Sequence, residues 1–238
     1  MPDTHYHILS TRPLDKSLIE EAEEQGITID QADFIATKPI HTPEITESIQ
    51  SVARKKITVV FTSMNAVEAV YAQLQEALPA WDIFSIGHTT QQLIRKYFSK
   101  AVIVASADDA GQLAREIIAK GDIREVTFFC GDRRRDELPD LLKSNGILVN
   151  EIIVYQTLMI PAITSAVYDA ILFFSPSAVE SFFTCNTLPA HTIPFAIGKT
   201  TAESIRQYTT NKIITGNTPG KNSLVNEALL YFKDKNTK

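Results

Sequence analysis

Phe61–Val70 reads FTSMNAVEAV, and Phe173–Phe182 reads FFSPSAVESF. The two stretches lie 112 residues apart (Phe61 to Phe173), and a second pair keeps almost the same interval. GHTTQQLIRKY at Gly87–Tyr97 returns as GKTTAESIRQY at Gly198–Tyr208, 111 residues on, and Leu113 and Glu116 are matched by Leu224 and Glu227. Self-similarity in one order at one interval is the mark of a duplicated structural unit.

Each copy alternates strand and helix. Ile57–Phe61 and Ile171–Phe174 are short apolar runs that fit strands buried on both faces. Turns rich in Ser, Thr, Asn and Pro follow, then helical patterns at Ala66–Leu78 and Ala178–Cys185. Strands at Ile83–Ile86 and Phe195–Ile197 run into Gly87 and Gly198, where helices begin. Val102–Ala105 and Ile213–Thr215 are strands leading to helices at Gln112–Lys120 and Leu224–Phe232. Such alternation with short loops predicts an α/β fold with two similar domains, each a parallel sheet flanked by helices.

Outward from the repeat, the first copy gains a further unit: a strand at Glu125–Cys130, a helix at Arg134–Lys143 and an extended stretch at Ile147–Thr157. The N-terminus supplies what the second copy lacks, with a strand at His5–Leu9, a helix at Leu14–Gln25 and an extended run at Ile27–Ala36; Gly26 stands where Gly146 does. The expected organisation is a discontinuous domain of residues 1–36 plus 161–238 and an inserted domain of 44–151. Crossovers at 37–43 and 152–160 would pair as a two-stranded linker, a hinge that lets the domains close over a ligand in the cleft between them.

Composition bounds the function. Of 238 residues, 44% are hydrophobic and 21% charged, the proportions of a globular protein rather than a disordered or fibrous one. The net charge of -5 disfavours nucleic acid and anionic membranes as partners. The start, MPDTHYHILSTRP, lacks the basic and apolar regions of a signal peptide, and no apolar run is long enough to span a membrane. Cys130 and Cys185 are too few for a disulfide framework and lack CxxC spacing. A cytoplasmic monomer is expected.

In open parallel sheets, ligands bind beyond the carboxyl ends of the strands. Five turns sit there: Thr62–Ser63, Gly87–Thr90, Gly131–Arg133, Ser175–Ser177 and Gly198–Thr201. Unpaired N–H groups and the positive end of the helix dipole make such turns anion sites. Singly, each hydroxyl is explained by capping its own helix; five such turns in two domains favour shared binding of an anionic ligand. Arg12 follows the first strand, Lys199 follows Gly198, and Arg133, Arg134 and Arg135 open a helix against the dipole preference, two of the three being expected in solvent. Tyr155, in VYQT, offers a phenol that can donate a proton.

Other chemistries are disfavoured. Gly198-Lys199-Thr200 mimics the end of a phosphate-binding loop, but Ile193 stands where its first glycine belongs, and no GxGxxG follows a strand. The histidines, His5, His7, His41, His88 and His191, have no metal-ligand spacing. His5 and His7 share a strand face, where packing or solvent suffices. There is no GxSxG elbow, and both cysteines read as packing residues.

Six segments in order, FTSMNAVEAV, the IGHTT turn at Ile86–Thr90, CGDRRRDELPDLL at Cys130–Leu142, VYQT at Val154–Thr157, FFSPSAVESF and AIGKTTAESI at Ala196–Ile205, resemble the uroporphyrinogen-III synthase family over most of the chain. The resemblance implies a HemD-like enzyme with flavodoxin-like lobes, a hydro-lyase of tetrapyrrole and heme biosynthesis. Its substrate would be hydroxymethylbilane, a linear tetrapyrrole polycarboxylate that is dehydrated and cyclised with inversion of the last pyrrole ring. No cofactor or metal is implied. Tyr155 matches the tyrosine the family is thought to use as proton donor. Thr62, Ser63, Thr90, Ser175 and Thr201 fall at substrate-contacting turns, with Lys199 nearby. Gly131, Ser177, Gly198 and Thr200 complete those turns, and Arg12 and Arg133 add charge. The chain departs from the family at Met64-Asn65, where many members have Pro-Arg, and at Lys199, where proline is frequent; Arg12 or Arg133 is left to compensate. On architecture alone, a non-catalytic hinged two-domain binder of a small anion or tetrapyrrole fits as well, and turnover separates the two.

Overall fold

The computed structural model describes residues 5–74, 78–217 and 220–236. In chain order the elements begin with β1 (Tyr6–Ser10), α1 (Lys16–Glu24), β2 (Ile27–Gln31), β3 (Ile35–Pro39) and α2 (Pro43–Ala53). They continue as β4 (Thr58–Phe61), α3 (Met64–Tyr71), β5 (Asp82–Ile86), α4 (His88–Tyr97), β6 (Val102–Ala107) and α5 (Ala110–Ala119). Next come β7 (Glu125–Gly131), α6 (Glu137–Ser144), β8 (Leu148–Met159), β9 (Ala170–Phe173) and α7 (Pro176–Cys185). The last are β10 (Ile193–Ala196), α8 (Lys199–Arg206), β11 (Ile214–Thr215) and α9 (Lys221–Asn236).

The chain divides into two compact units, Met1–Ala36 with Leu158–Lys238, and Thr37–Thr157. In the first, the sheet order is β11-β10-β9-β1-β2, with parallel pairing throughout. In the second it is β3-β8-β7-β4-β5-β6, and the pairs from β8 to β6 are parallel. The duplicated segment is thus β4-β5-β6 in one sheet and β9-β10-β11 in the other. β1 and β2 stand beside β9 as β7 and β8 stand beside β4. In each unit the winding reverses next to the first repeated strand, between β1 and β9 or between β7 and β4. At such a reversal the two outgoing connections part to opposite faces and leave a crevice at the carboxyl edge.

Alternation along the strands supplies two cores per unit. In β4, Val59 and Phe61 face α2, α3 and α4, while Val60 faces α5 and α6. In β9, Ala170 and Leu172 face α1 and α9, while Ile171 and Phe173 face α7 and α8. Burying each large apolar side chain of this kind contributes about 1.5–3 kcal/mol, so register is strongly specified: a one-residue slip would exchange the faces. The duplication extends to packing detail. Tyr71 stacks on Tyr97 at 4.2 Å, and their counterparts Phe183 and Tyr208 stack at 4.7 Å.

Four local expectations are corrected. Helix α6 starts at Glu137 after Asp136, so Arg133–Arg135 lie in the preceding turn and do not open the helix. Pro139 is the reason: as the third helical residue its missing N–H costs nothing, whereas in a helix begun at Arg134 it would break the interior ladder. Helix α2 was not anticipated, although Thr42 caps Ile45 N at 3.4 Å and Pro43 opens its first turn. The run Ile27–Ala36 is not one extended stretch but two strands, parted where buried Phe34 turns in against Phe182 at 5.3 Å. Helix α3 ends at Tyr71, short of the expected Leu78; residues 75–77 of that expectation lie outside the described residues.

Candidate active site

At the carboxyl edge of the second unit, β7 ends on Gly131 and β8 carries Tyr155 beside it. The register slips here: Cys130 pairs with Ile153, but Gly131 pairs with Tyr155. The extra residue in β8 is a bulge, a device that re-aims side chains. It brings the Tyr155 ring over Gly131, where a Cβ would lie 2.4 Å from the ring carbon Cζ. Asp132 fixes the backbone on the C-terminal side of the tyrosine, donating its N–H to Tyr155 O at 3.1 Å and accepting from Thr157 N at 2.9 Å.

The ring reaches across to the start of α3. Ser63 Oγ accepts the Ala66 N–H at 3.2 Å and donates to Tyr155 Oη at 3.1 Å. Burial raises the Tyr155 pKa above its ordinary value, and hydrogen bonding from Ser63 and Asn65 only partly opposes that. The phenol is therefore protonated at neutral pH, half-buried, and adjacent to the crevice at the reversal between β7 and β4. Thr62 is half-buried in the same turn. On the other face of the sheet, Cys130 is buried and its thiol is pushed up to about 11, first by burial and then by the charge of Glu151.

The arginine turn divides by exposure. Arg134 is half-buried and bonds Glu151 and Asp136, and Lys143 Nζ reaches Glu151 at 3.0 Å. Arg133 and Arg135 are exposed.

Helices α3 and α7 are capped by their own serines, Ser175 Oγ accepting from Ala178 N at 3.2 Å as Ser63 does from Ala66. Capping explains these two hydroxyls locally. Helices α4 and α8 begin after Gly87 and Gly198 with no side-chain cap, so their first N–H groups have no intrahelical partner. Gly87 also has φ +82°, a conformation that favours glycine, whereas Gly198 is extended. Thr90 and Thr201 are 5% and 1% exposed and pack beneath their turns, while Lys199 and Thr200 stand in solvent. In the first unit Arg12 is exposed beside β9, its guanidinium 5.6 Å from the Phe174 ring centre. Its turn is held by Thr11 Oγ1 donating to Leu172 O at 2.8 Å and Ser10 Oγ donating to Arg12 O at 2.6 Å. Ser177 is half-buried in the first turn of α7.

Two site residues escaped the sequence analysis. Asn65, in the same turn as Ser63, opposes the burial-driven rise of the Tyr155 pKa; the repeat points to it, because it is the counterpart of Ser177. Asp132 was seen only as part of a turn, since its role depends on β8 lying alongside.

Groups elsewhere have other settings. His7 Nε2 lies 2.9 Å from Asp30, whose carboxylate accepts from the Tyr168 hydroxyl at 3.0 Å, and His5 meets Thr28 at 2.6 Å. A cavity of about 500 Å³ in the second unit is lined by Thr58, Asp82, Glu125 and neighbours at the amino ends of the strands, the edge opposite Tyr155.

Comparison with known proteins points one way. The family model described as uroporphyrinogen-III synthase HemD matches residues 16–226. A uroporphyrinogen-III synthase from Saccharomyces cerevisiae is 26% identical, the match covering 74% of this chain and 77% of the relative. The fold is that of the uroporphyrinogen-III synthetase of Helicobacter pylori (TM-score 0.70, 13% identity, 95% of this chain and 99% of the other). A mutant uroporphyrinogen III synthase from the extremely thermophilic bacterium Thermus thermophilus is similar at a TM-score of 0.66 and 15% identity, over 97% of this chain and 99% of the other.

Proposed function

The chain belongs to the uroporphyrinogen-III synthase family, and on that premise we propose that Tyr155 protonates the hydroxyl group that leaves during ring closure. The reaction is the dehydrating cyclisation of hydroxymethylbilane to uroporphyrinogen III, a lyase step of porphyrin biosynthesis. A pyrrole nitrogen supplies the electrons that break the carbon–oxygen bond. The departing hydroxyl takes up a proton and leaves as water. The terminal ring closes on the resulting electrophilic carbon with inversion, and the proton lost when the pyrrole is restored balances the one consumed.

The observation that carries the proposal is the Tyr155 phenol, protonated at neutral pH, held over Gly131 and bonded to Ser63 at a carboxyl-edge crevice. A donor of this kind contributes about 10²–10⁴-fold when correctly placed. The polycarboxylate needs anion contacts, and the candidates are the uncapped starts of α4 and α8, together with Thr62, Arg12, Arg133, Lys199, Thr200 and the first turn of α7 at Ser175 and Ser177. Because Thr90 and Thr201 are buried, their contribution is through backbone N–H groups. A monomeric, cytoplasmic enzyme without a nucleic-acid partner completes the proposal; the net charge of -5 speaks against nucleic acid, and the two free cysteines fit a reducing compartment.

The test is a coupled assay in which hydroxymethylbilane is generated enzymatically, this protein is added, and the oxidised uroporphyrin isomers are separated. Predominantly type III product is expected, with Tyr155→Phe slower by about 10²-fold or more. Type I alone, as in the control without protein, would sink the assignment.

A further inference from the structure

We propose that Ser63 is a positioning residue for Tyr155, one that sets the direction of the phenol proton and steadies the charge left when that proton departs. The sequence pattern places Ser63 among the substrate contacts. Its geometry indicates a different use, and the inference rests on the reading of Tyr155 as the acid.

The hydrogen-bond inventory of a serine is one donor and two acceptor sites. Ser63 Oγ accepts the Ala66 N–H at 3.2 Å, and its own hydrogen goes to Tyr155 Oη at 3.1 Å. The phenol oxygen thus receives a hydrogen bond from the protein side, leaving its own hydrogen for an oxygen beyond. When that hydrogen passes to the departing hydroxyl, the phenol O–H bond breaks, water leaves, and a phenolate remains. Ser63 still donates to it, now in a charge-assisted bond, with the positive start of α3 behind the serine. Such a contact is stronger after proton transfer than before it, the condition for lowering a barrier rather than merely binding.

The duplication provides an internal comparison. Ser175, the counterpart of Ser63, caps α7 with the same 3.2 Å bond to Ala178. No phenol bonds Ser175 among the described residues. Counted from the matched glycines Gly146 and Gly26, the place of Tyr155 falls to Ile35 in the first unit, a side chain with no hydroxyl to offer. Capping is common to both serines, whereas the link to a tyrosine belongs to Ser63.

The experiment is a double-mutant cycle in the isomer-resolved assay. Ser63→Ala is expected to lower kcat by about 10- to 100-fold with KM nearly unchanged, toward the range for loss of one transition-state donor. Ser63→Thr, which keeps the hydroxyl, should recover most of the rate. In a Tyr155→Phe background Ser63→Ala should cost less than about twofold further, because residues acting as one unit are not additive. Ser175→Ala measures the loss of a cap alone, through its melting temperature. Equal losses from Ser63→Ala in both backgrounds, or a KM effect with kcat intact, would overturn the inference. Native turnover by Tyr155→Phe would instead overturn the acid reading. The contact itself is read separately from tyrosinate absorbance, taken as the difference between each protein and its Tyr155→Phe counterpart. Ser63→Ala should move the Tyr155 ionisation to higher pH, and an unmoved ionisation would count against the bond.

Discussion

Gly131 and Tyr155 occupy one another's space: the ring of the tyrosine lies where any side chain on residue 131 would begin, 2.4 Å from Cζ. Both are backbone neighbours in a parallel pair, brought level by the bulge in β8. Gly131→Ala must therefore displace the ring. The expected outcome is a loss of type III turnover approaching that of Tyr155→Phe, with little further loss when the two are combined. Steady-state kinetics of the three variants check this, and additive losses would show that Gly131 acts elsewhere.

The pH dependence follows from the direction of the Tyr155 shift. Burial raises its pKa above 10.0, and the protonated phenol is the working form. Activity lost through this group should therefore appear only as pH climbs beyond the ordinary tyrosine range. A kcat profile with an alkaline limb at or below neutral pH would assign the acid to another group.

The two thiols should differ sharply. Cys130 is buried in the core behind β7 with its pKa pushed up to about 11, while Cys185 is exposed. A chromogenic disulfide reagent at mildly alkaline pH should label one thiol in the native protein and the second only on unfolding. The raised Cys130 pKa stabilises the fold fully below the thiol's ordinary 9.0 and loses that contribution as pH rises toward about 11. Rapid native labelling of Cys130 would contradict its burial.

Cationic residues of the two units should separate into structural and binding roles. Burial pushes the Glu151 pKa up, but hydrogen bonds and charge from Lys143 and Arg134 hold it below its ordinary value. Its carboxylate therefore contributes stability above the usual carboxylate range and loses it as pH falls through the lowered value. Arg134→Leu leaves that carboxylate partly buried and short of partners, at a cost of about 1–3 kcal/mol. At this chain length the melting temperature falls about 2–4 °C for each kcal/mol. Lys199, exposed at the first position of α8, opposes the helix dipole. Lys199→Ala should raise KM about 2- to 5-fold, equivalent to about 0.3–1 kcal/mol, without lowering the melting temperature. Thermal melts and KM values for the pair test the division.

The sequence by itself determined the duplicated parallel α/β plan, because FTSMNAVEAV and FFSPSAVESF place strand, turn and helix by local periodicity, which needs no distant partner. It also carries finer local signals: Thr42-Pro43 announces α2, and Pro139 limits where α6 can begin. Tyr155 and the helix-start turns were legible as candidates for the same local reason. Their joint chemistry was not. Ser63 and Tyr155 are 92 positions apart, and the level at which they meet depends on one extra residue in β8. A bulge is a property of two paired strands rather than of either strand's sequence, so only the tertiary structure could decide that the phenol lies over Gly131 and bonds the cap of α3.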